Sequence, residues 1–197
     1  MKTADPIRKP SELDRFKNYY LLEKYHPRNY LLITIGLNSA LRISDILSLR
    51  WKNVYDLKHG HILEHIVIKE QKTGKNSQIF INKSIRDALC SYKEYMGNKL
   101  NLDGDTYLFS GNGHDGSQPL SRTQAWRIIK RAADCCDISG VISPHSLRKT
   151  FGYQAWQNGI QPALLMDIFQ HSSFDITQRY LGIRQDERDD VFRNNCI

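Results

Sequence analysis

Residues 143–153, SPHSLRKTFGY, and 169–180, FQHSSFDITQRY, decide how this chain is read. They gather His145, Arg148, His171 and Tyr180 into one short span. A guanidinium, two imidazoles and a phenol placed together call for something anionic among them, and a phosphodiester suits all of them. Each piece alone is weak, because His-x-x-Arg recurs by chance and a tyrosine near a C-terminus is usually a packing residue. The weight lies in the set and its order. Locally, Pro144 opens a helix expected to run to about Asn158, with Gly159 as its left-handed stop. Pro162 opens a shorter helix, ALLMDIF, that ends before His171, and 174–181 form another that carries Tyr180.

Outward from this span the pattern is helical, with one interruption. Ser11 and Asp14 mark a helix start, and Leu13, Phe16, Tyr20 and Leu21 recur at helical spacing, so the first helix is expected from Glu12 to Tyr25. Pro27 opens a second, whose core YLLITIGL (30–37) has no polar stripe and is expected to be buried on most sides. In ALRISDILSLRW (40–51), Leu41, Ile43, Ile46, Leu47 and Leu49 supply a core face. Arg42 and Asp45, three apart, would share a different one.

From His61 to Asn82 the period changes to β. HILEHIVIKE and SQIFIN flank the turn KTGKN, which predicts an antiparallel hairpin with Lys72, Gly74 and Lys75 near its tip. Ile85, Leu89, Tyr92 and Met96 then line one face of a helix ending near Gly97. Residues 103–116 read as a loop with the apolar insert YLF. Ser121 with Gln124 is a capping box for a helix whose Ala125, Trp126, Ile128, Ile129, Ala132 and Ala133 are expected to face inward. The fold class is mainly α with a small antiparallel β-sheet (α+β).

At 197 residues the chain accommodates one well-packed domain. The expected division is a loose arm over 1–10, which holds Pro6 and Pro10, a domain over 11–183, and a tail over 184–197. Lys plus Arg number 28 against 21 Asp plus Glu, and the net charge of +7 favours polyanionic partners. Cys90, Cys135, Cys136 and Cys196 form no Cys-x-x-Cys pair, which argues against a zinc site or a disulfide framework. There is neither an 18-residue apolar run nor a signal-peptide segment, so the expected setting is the cytoplasm rather than a membrane.

Transfer at a phosphodiester needs an in-line nucleophile, cations on the non-bridging oxygens, a proton acceptor and a proton donor. Arg42 and Arg148 are the candidate cations. Ionising a tyrosine of ordinary pKa at neutral pH costs roughly 4 kcal/mol, so a nucleophilic Tyr180 requires neighbouring arginine or imidazole.

The ordered pieces ALRISDILSLRW, EQKTGK (70–75), HSLRKTFGY (145–153) and QHSSFDITQRY (170–180) resemble the tyrosine recombinases, or phage integrase family. The resemblance covers about residues 11–183. It implies the DNA breaking-rejoining fold and a metal-independent, site-specific DNA recombinase with no cofactor. Tyr180 would attack the scissile phosphate and hold a 3′-phosphotyrosyl link. Arg42 and Arg148 would bind the non-bridging oxygens, Lys72 would protonate the departing 5′ oxygen, His145 would take or share the phenol proton, and His171 would hydrogen-bond the phosphate. Asp45 would orient the first arginine box from behind. Lys75 is the rival to Lys72, because exposed hairpins also carry lysines for solubility and edge protection.

The chain departs from the family at Gln170, where glycine is usual, and in beginning almost at the catalytic domain. A fragment and a short, catalytic-domain-only member both fit that beginning. The resemblance implies double-stranded DNA as partner and a monomer that becomes a tetramer on paired sites through its C-terminal tail. Two alternatives stay open: a type IB topoisomerase-like enzyme that reseals the same strand, and a DNA-binding regulator without catalysis.

Overall fold

The computed structural model describes residues 4–97, 104–111, 116–183 and 191–195. In order, the elements that frame the site are α1 (Pro10–Asn18), a π-helical turn (Tyr19–Glu23), α2 (Pro27–Asn38) and α3 (Ile43–Leu47). Then come strands β1 (Tyr55–Asp56), β2 (His61–Ile62), β3 (His65–Lys69) and β4 (Asn76–Phe80). Helices α4 (Lys83–Met96), α5 (Arg122–Cys135), α6 (Pro144–Gln157), α7 (Pro162–Phe169) and α8 (Phe174–Leu181) complete the fold.

Helix α2 is the axis. Leu31, Leu32, Ile33 and Ile35 are all fully buried, which needs apolar neighbours on every side. Leu31, Leu32 and Ile35 join a cluster with α3, α4 and the inward face of β3, while Ile33 joins one with α1, α5 and Leu147 of α6. A third, smaller cluster holds Ala40, Leu165, Phe169 and Leu181, with Phe151, Tyr180 and Ile183 against it. It joins the loop after α2 to α6, α7 and α8, and so lies directly beneath the segments that carry His171 and Tyr180.

Five expectations are corrected. The arm over 1–10 is not loose where it is described: Asp5 and Val141 exchange two hydrogen bonds of 2.9 Å, and the Ile7 amide donates to Thr150 Oγ1 at 2.8 Å. Burying Ile7 supplies the apolar contact that holds it. Helix α1 accordingly starts at Pro10, whose fixed φ suits a first helical residue, rather than after Ser11. The helix expected to reach Tyr25 instead widens into the π-turn at Tyr19, which aims the Tyr20 hydroxyl at the Ile128 carbonyl (3.0 Å).

The single expected hairpin is split. His61 and Ile62 pair back with β1, while β3 and β4 form a separate antiparallel pair with Lys69 opposite Asn76. Trp126 is 45% exposed rather than inward. Ala125, Ile129, Ala132 and Ala133 make the buried stripe of α5, and Trp126 falls off it by one helical step.

Close approach of α6 to α7 and α8 depends on Gly152. A Cβ there would lie 2.5 Å from Leu181 Cδ2 and 2.6 Å from Phe169 Cζ, both fully buried neighbours. Gly152→Ala gains about 1 kcal/mol of helix propensity but forces overpacking worth about 1–3 kcal/mol. Urea unfolding is expected to show a net loss of stability; an unchanged or higher midpoint would contradict this packing.

Candidate active site

Arg148 lies on α6 and is 5% exposed. Its guanidinium donates to the carbonyls of Ala40 and, at 3.3 Å, Phe169, and packs over the Phe169 ring at 4.9 Å. Both carbonyls are placed by local backbone. Ala40 has φ +54°, a left-handed turn that closes the loop between α2 and α3, and Phe169 is the last residue of α7, where carbonyls lack helical partners. The negative end of the α7 dipole thus meets a buried cation.

His171 and Tyr180 share the Phe169 platform. The imidazole stacks on that ring at 5.6 Å, the phenol packs against it at 5.4 Å, and the two meet edge to face at 5.2 Å. His171 Nδ1 is 3.0 Å from the hydroxyl of Thr177, a fully buried residue one turn before Tyr180 on α8. Lys149 Nζ lies over the Tyr180 ring at 5.2 Å and donates to the Ala4 carbonyl.

Arg42, Lys72 and His145 line one cleft of about 800 Å³ together with Arg122, Trp126 and Gln71, while Arg148, His171 and Tyr180 are not among its lining residues. Lys75 does not join them. It lines a separate cavity of about 520 Å³ behind β4. Both lysines are exposed. Arg42 is paired with Glu70 at 2.5 Å.

Asp45 is fully buried; its amide donates to the Arg42 carbonyl at 2.9 Å, but its carboxylate turns to the hairpin rather than to the Arg42 side chain, contrary to the shared face expected of them. Arg42 is the residue that precedes α3, in extended backbone, so its side chain leaves the helix register. Asp45 Oδ1 instead accepts the Gln71 amide at 2.9 Å and anchors the hairpin tip one residue before Lys72.

Three supporting groups escaped the sequence reading: Glu70, Thr177 and the Ala40 carbonyl. For Glu70 there was a signal, since it continues the inward alternation of Ile66 and Ile68, and an inward carboxylate demands a buried cation. Thr177 and Ala40 gave none, because their roles arise only from tertiary placement. Among the described residues, no cluster of three or more His, Cys, Asp or Glu could hold a metal, and no helix is long and apolar enough to cross a membrane.

The site's electrostatics favour neutral imidazoles. Partial removal from water, then the charges of Arg148, Lys149, Arg42 and Lys72, hold His145 below the ordinary histidine range. Desolvation, then Arg148 and Arg42, do the same to His171. Burial outweighs the charge and hydrogen bonding of Arg148 and the charge of Arg42, so the Tyr180 pKa stands above the ordinary tyrosine value in the free protein. A phosphate arriving here would meet fixed arginines, two proton acceptors and an adjacent phenol. The arrangement is one that suits a phosphodiester held beside a tyrosine.

Residues 10–187 match the Phage integrase family. YoeC, a probable integrase/recombinase of Bacillus subtilis strain 168, is 39% identical over 186 residues, covering 94% of this chain and 93% of that protein. The tyrosine recombinase XerC of Halalkalibacterium halodurans is 29% identical over 175 residues, 85% of this chain but 54% of XerC, so the chain spans about half of that relative. The Tn1549 transposon integrase, solved in complex with circular intermediate DNA, has the same fold. It matches with a TM-score of 0.66 and 19% identity over 98% of this chain and 66% of that one. The chain belongs to the phage integrase family and is a tyrosine-type site-specific recombinase.

Depressed imidazoles give a signed expectation. In an NMR titration His145 and His171 should titrate below about 6.5, the free-histidine value. Because the unfolded chain takes up these protons first as pH falls, their contribution to stability is present above about 6.5 and declines below it. Arg148→Gln removes a positive charge and should raise both histidine pKa values and the Tyr180 pKa as well. A histidine that moves down in that variant would contradict the electrostatic account.

Proposed function

We propose that the protein binds double-stranded DNA across the basic cleft and exchanges strands at specific sites through a covalent bond to Tyr180. The observation that carries this is the packing of Tyr180 against His171, with Arg148 and Arg42 acting on its phenol. The DNA in the Tn1549 integrase structure supports the choice of polyanion. So does the +7 charge, which supplies salt-dependent affinity with little sequence content.

In this reading Arg42 and Arg148 hold the two non-bridging oxygens, and His171 donates a hydrogen bond to one of them. Tyr180 Oη attacks phosphorus in line as His145 takes its proton. The bond from phosphorus to the 5′ oxygen breaks, Lys72 protonates that oxygen, and a 3′-phosphotyrosyl link remains. A 5′-hydroxyl of the partner strand then reverses every step. The link retains the energy of the broken bond, so the chemistry calls for no nucleotide and no metal. Lys72 rather than Lys75 takes the donor role because it shares the cleft of Arg42 and His145. Asp45 acts by anchoring the hairpin that carries it. The setting is the bacterial cytoplasm, where the DNA lies.

Assembly follows from the tail. Residues 184–190, 196 and 197 lie outside the described residues, while Val191 and Phe192 are exposed, Phe192 at 77%. In the proposed reading these two dock on a neighbouring copy, and four copies assemble on paired sites.

On a nicked suicide duplex bearing the site, wild type should trap a covalent adduct visible by denaturing electrophoresis. Adduct persisting in Tyr180→Phe would overturn the nucleophile assignment. Lys72→Ala should slow cleavage by about 10²–10⁴-fold, the usual range for a lost general acid, and Lys75→Ala by far less. Removing residues 184–197 should leave DNA binding by one copy intact but weaken pairing of two sites in a gel-shift assay; undiminished pairing would refute the docking role.

A further inference from the structure

Glu70 is a densely connected buried side chain that the reaction does not use. It follows β3 at the base of the hairpin tip and is 4% exposed. Its carboxylate accepts from Arg42 at 2.5 Å, Ser77 at 2.5 Å, Gln170 Nε2 at 2.9 Å and Thr73 at 3.4 Å. These donors belong to the loop before α3, to β4, to the residue after α7 and to the hairpin turn. One buried anion therefore ties three separate parts of the site together.

Gln170 is an unfavourable residue where it stands. Its backbone is left-handed, with φ +58° and ψ +43°, a conformation that costs an L-residue about 1–2 kcal/mol and glycine almost nothing. Its Oε1 is buried without a hydrogen-bond partner. Its amide nitrogen donates to Glu70 at 2.9 Å, a bond that offsets part of both costs. It immediately precedes His171, whose own amide closes the end of α7 on the Met166 carbonyl at 2.9 Å.

We propose that Glu70 is a positioning residue which fixes Arg42 in the cleft, and that the Glu70–Gln170 hydrogen bond is a strut setting the distance between the Lys72 hairpin and His171. The inference rests on the proposed function for its consequence in catalysis, but the strut itself is a property of the free protein. Glu70 holds Arg42 through Nη1, which leaves the other N–H groups of the guanidinium for a phosphate. Two residues after Glu70 comes Lys72, so the strut fixes the hairpin tip from within while Asp45 fixes it from outside through Gln71. Without it the hairpin and α7 move independently.

The test is a double-mutant cycle in the full chain with Glu70→Gln, Gln170→Gly and both together. Gln170→Gly relieves the left-handed strain, so its melting temperature should hold or rise. Single-turnover cleavage of the suicide duplex should nevertheless fall by about 3–10-fold, with DNA affinity within about twofold. Glu70→Gln keeps the shape but not the charge, and should slow cleavage by about 10–100-fold. In that background Gln170→Gly should add little, because both changes cut one connection.

Two readouts need no DNA and no activity: hydrogen exchange across residues 70–75, and the NMR line width of the Arg42 guanidinium. Faster exchange in Gln170→Gly and a freely rotating guanidinium in Glu70→Gln support the strut. Additive effects, or a Gln170→Gly protein with wild-type exchange and cleavage, would overturn it. If wild type itself never forms the adduct, the proposed function fails, and these two DNA-free measurements still decide the strut.

Discussion

Mutual repulsion among cations is the constraint on which the site depends. Burial and the charge of Arg42 disfavour the charged form of Arg148, and Lys72 and Lys149 add to the field around His145. Each guanidinium is accordingly anchored by a group of the protein itself. Arg148 is held by two carbonyl dipoles, Ala40 and Phe169, and Arg42 by the full charge of Glu70. The two solutions differ in consequence. Carbonyls leave the charge of Arg148 undiminished in a dry setting, whereas Glu70 neutralises its partner in part and is itself fixed by three further donors. In the proposed function, preorganisation of this sort would place the cations before a phosphate arrives and leave little reorganisation for the transition state.

The same constraint shapes the fold beneath. Phe169 closes α7, stacks His171, packs Tyr180, supports Arg148 and presents the carbonyl that Arg148 takes. It can do so because Gly152 lets α6 come within contact of it. The left-handed Ala40 is the matching device on the opposite side of the guanidinium, where a helical residue would turn its carbonyl along the helix axis.

Much of this was legible in the residues. Proline and glycine punctuated the helices correctly at Pro27, Gly97, Pro144, Gly159 and Pro162, because those residues act through their own backbone and need no tertiary context. The motif order also brought Arg42, Lys72, His145, Arg148, His171 and Tyr180 to attention by number. What failed was whatever depended on a distant partner. The first ten residues looked loose because nothing local reveals that Ile7 finds Thr150. Trp126 looked like core because apolar character alone says nothing about which side of α5 meets a groove. Asp45 was matched with Arg42 by spacing, but the residue before a helix does not obey the helix's spacing, and the true partners, Gln71 and Glu70, lie on a hairpin made later in the chain.

The N-terminal strap carries a consequence for handling the protein. Between Asp5 and Arg8 it grips Val141 and Thr150, packs a guanidinium on Tyr153 and reaches the Gly182 carbonyl just past the tyrosine helix. Lys149, neighbour to Arg148, holds Ala4 as well. A label placed on the strap would therefore sit against α6 and the end of α8, at the back of the candidate site.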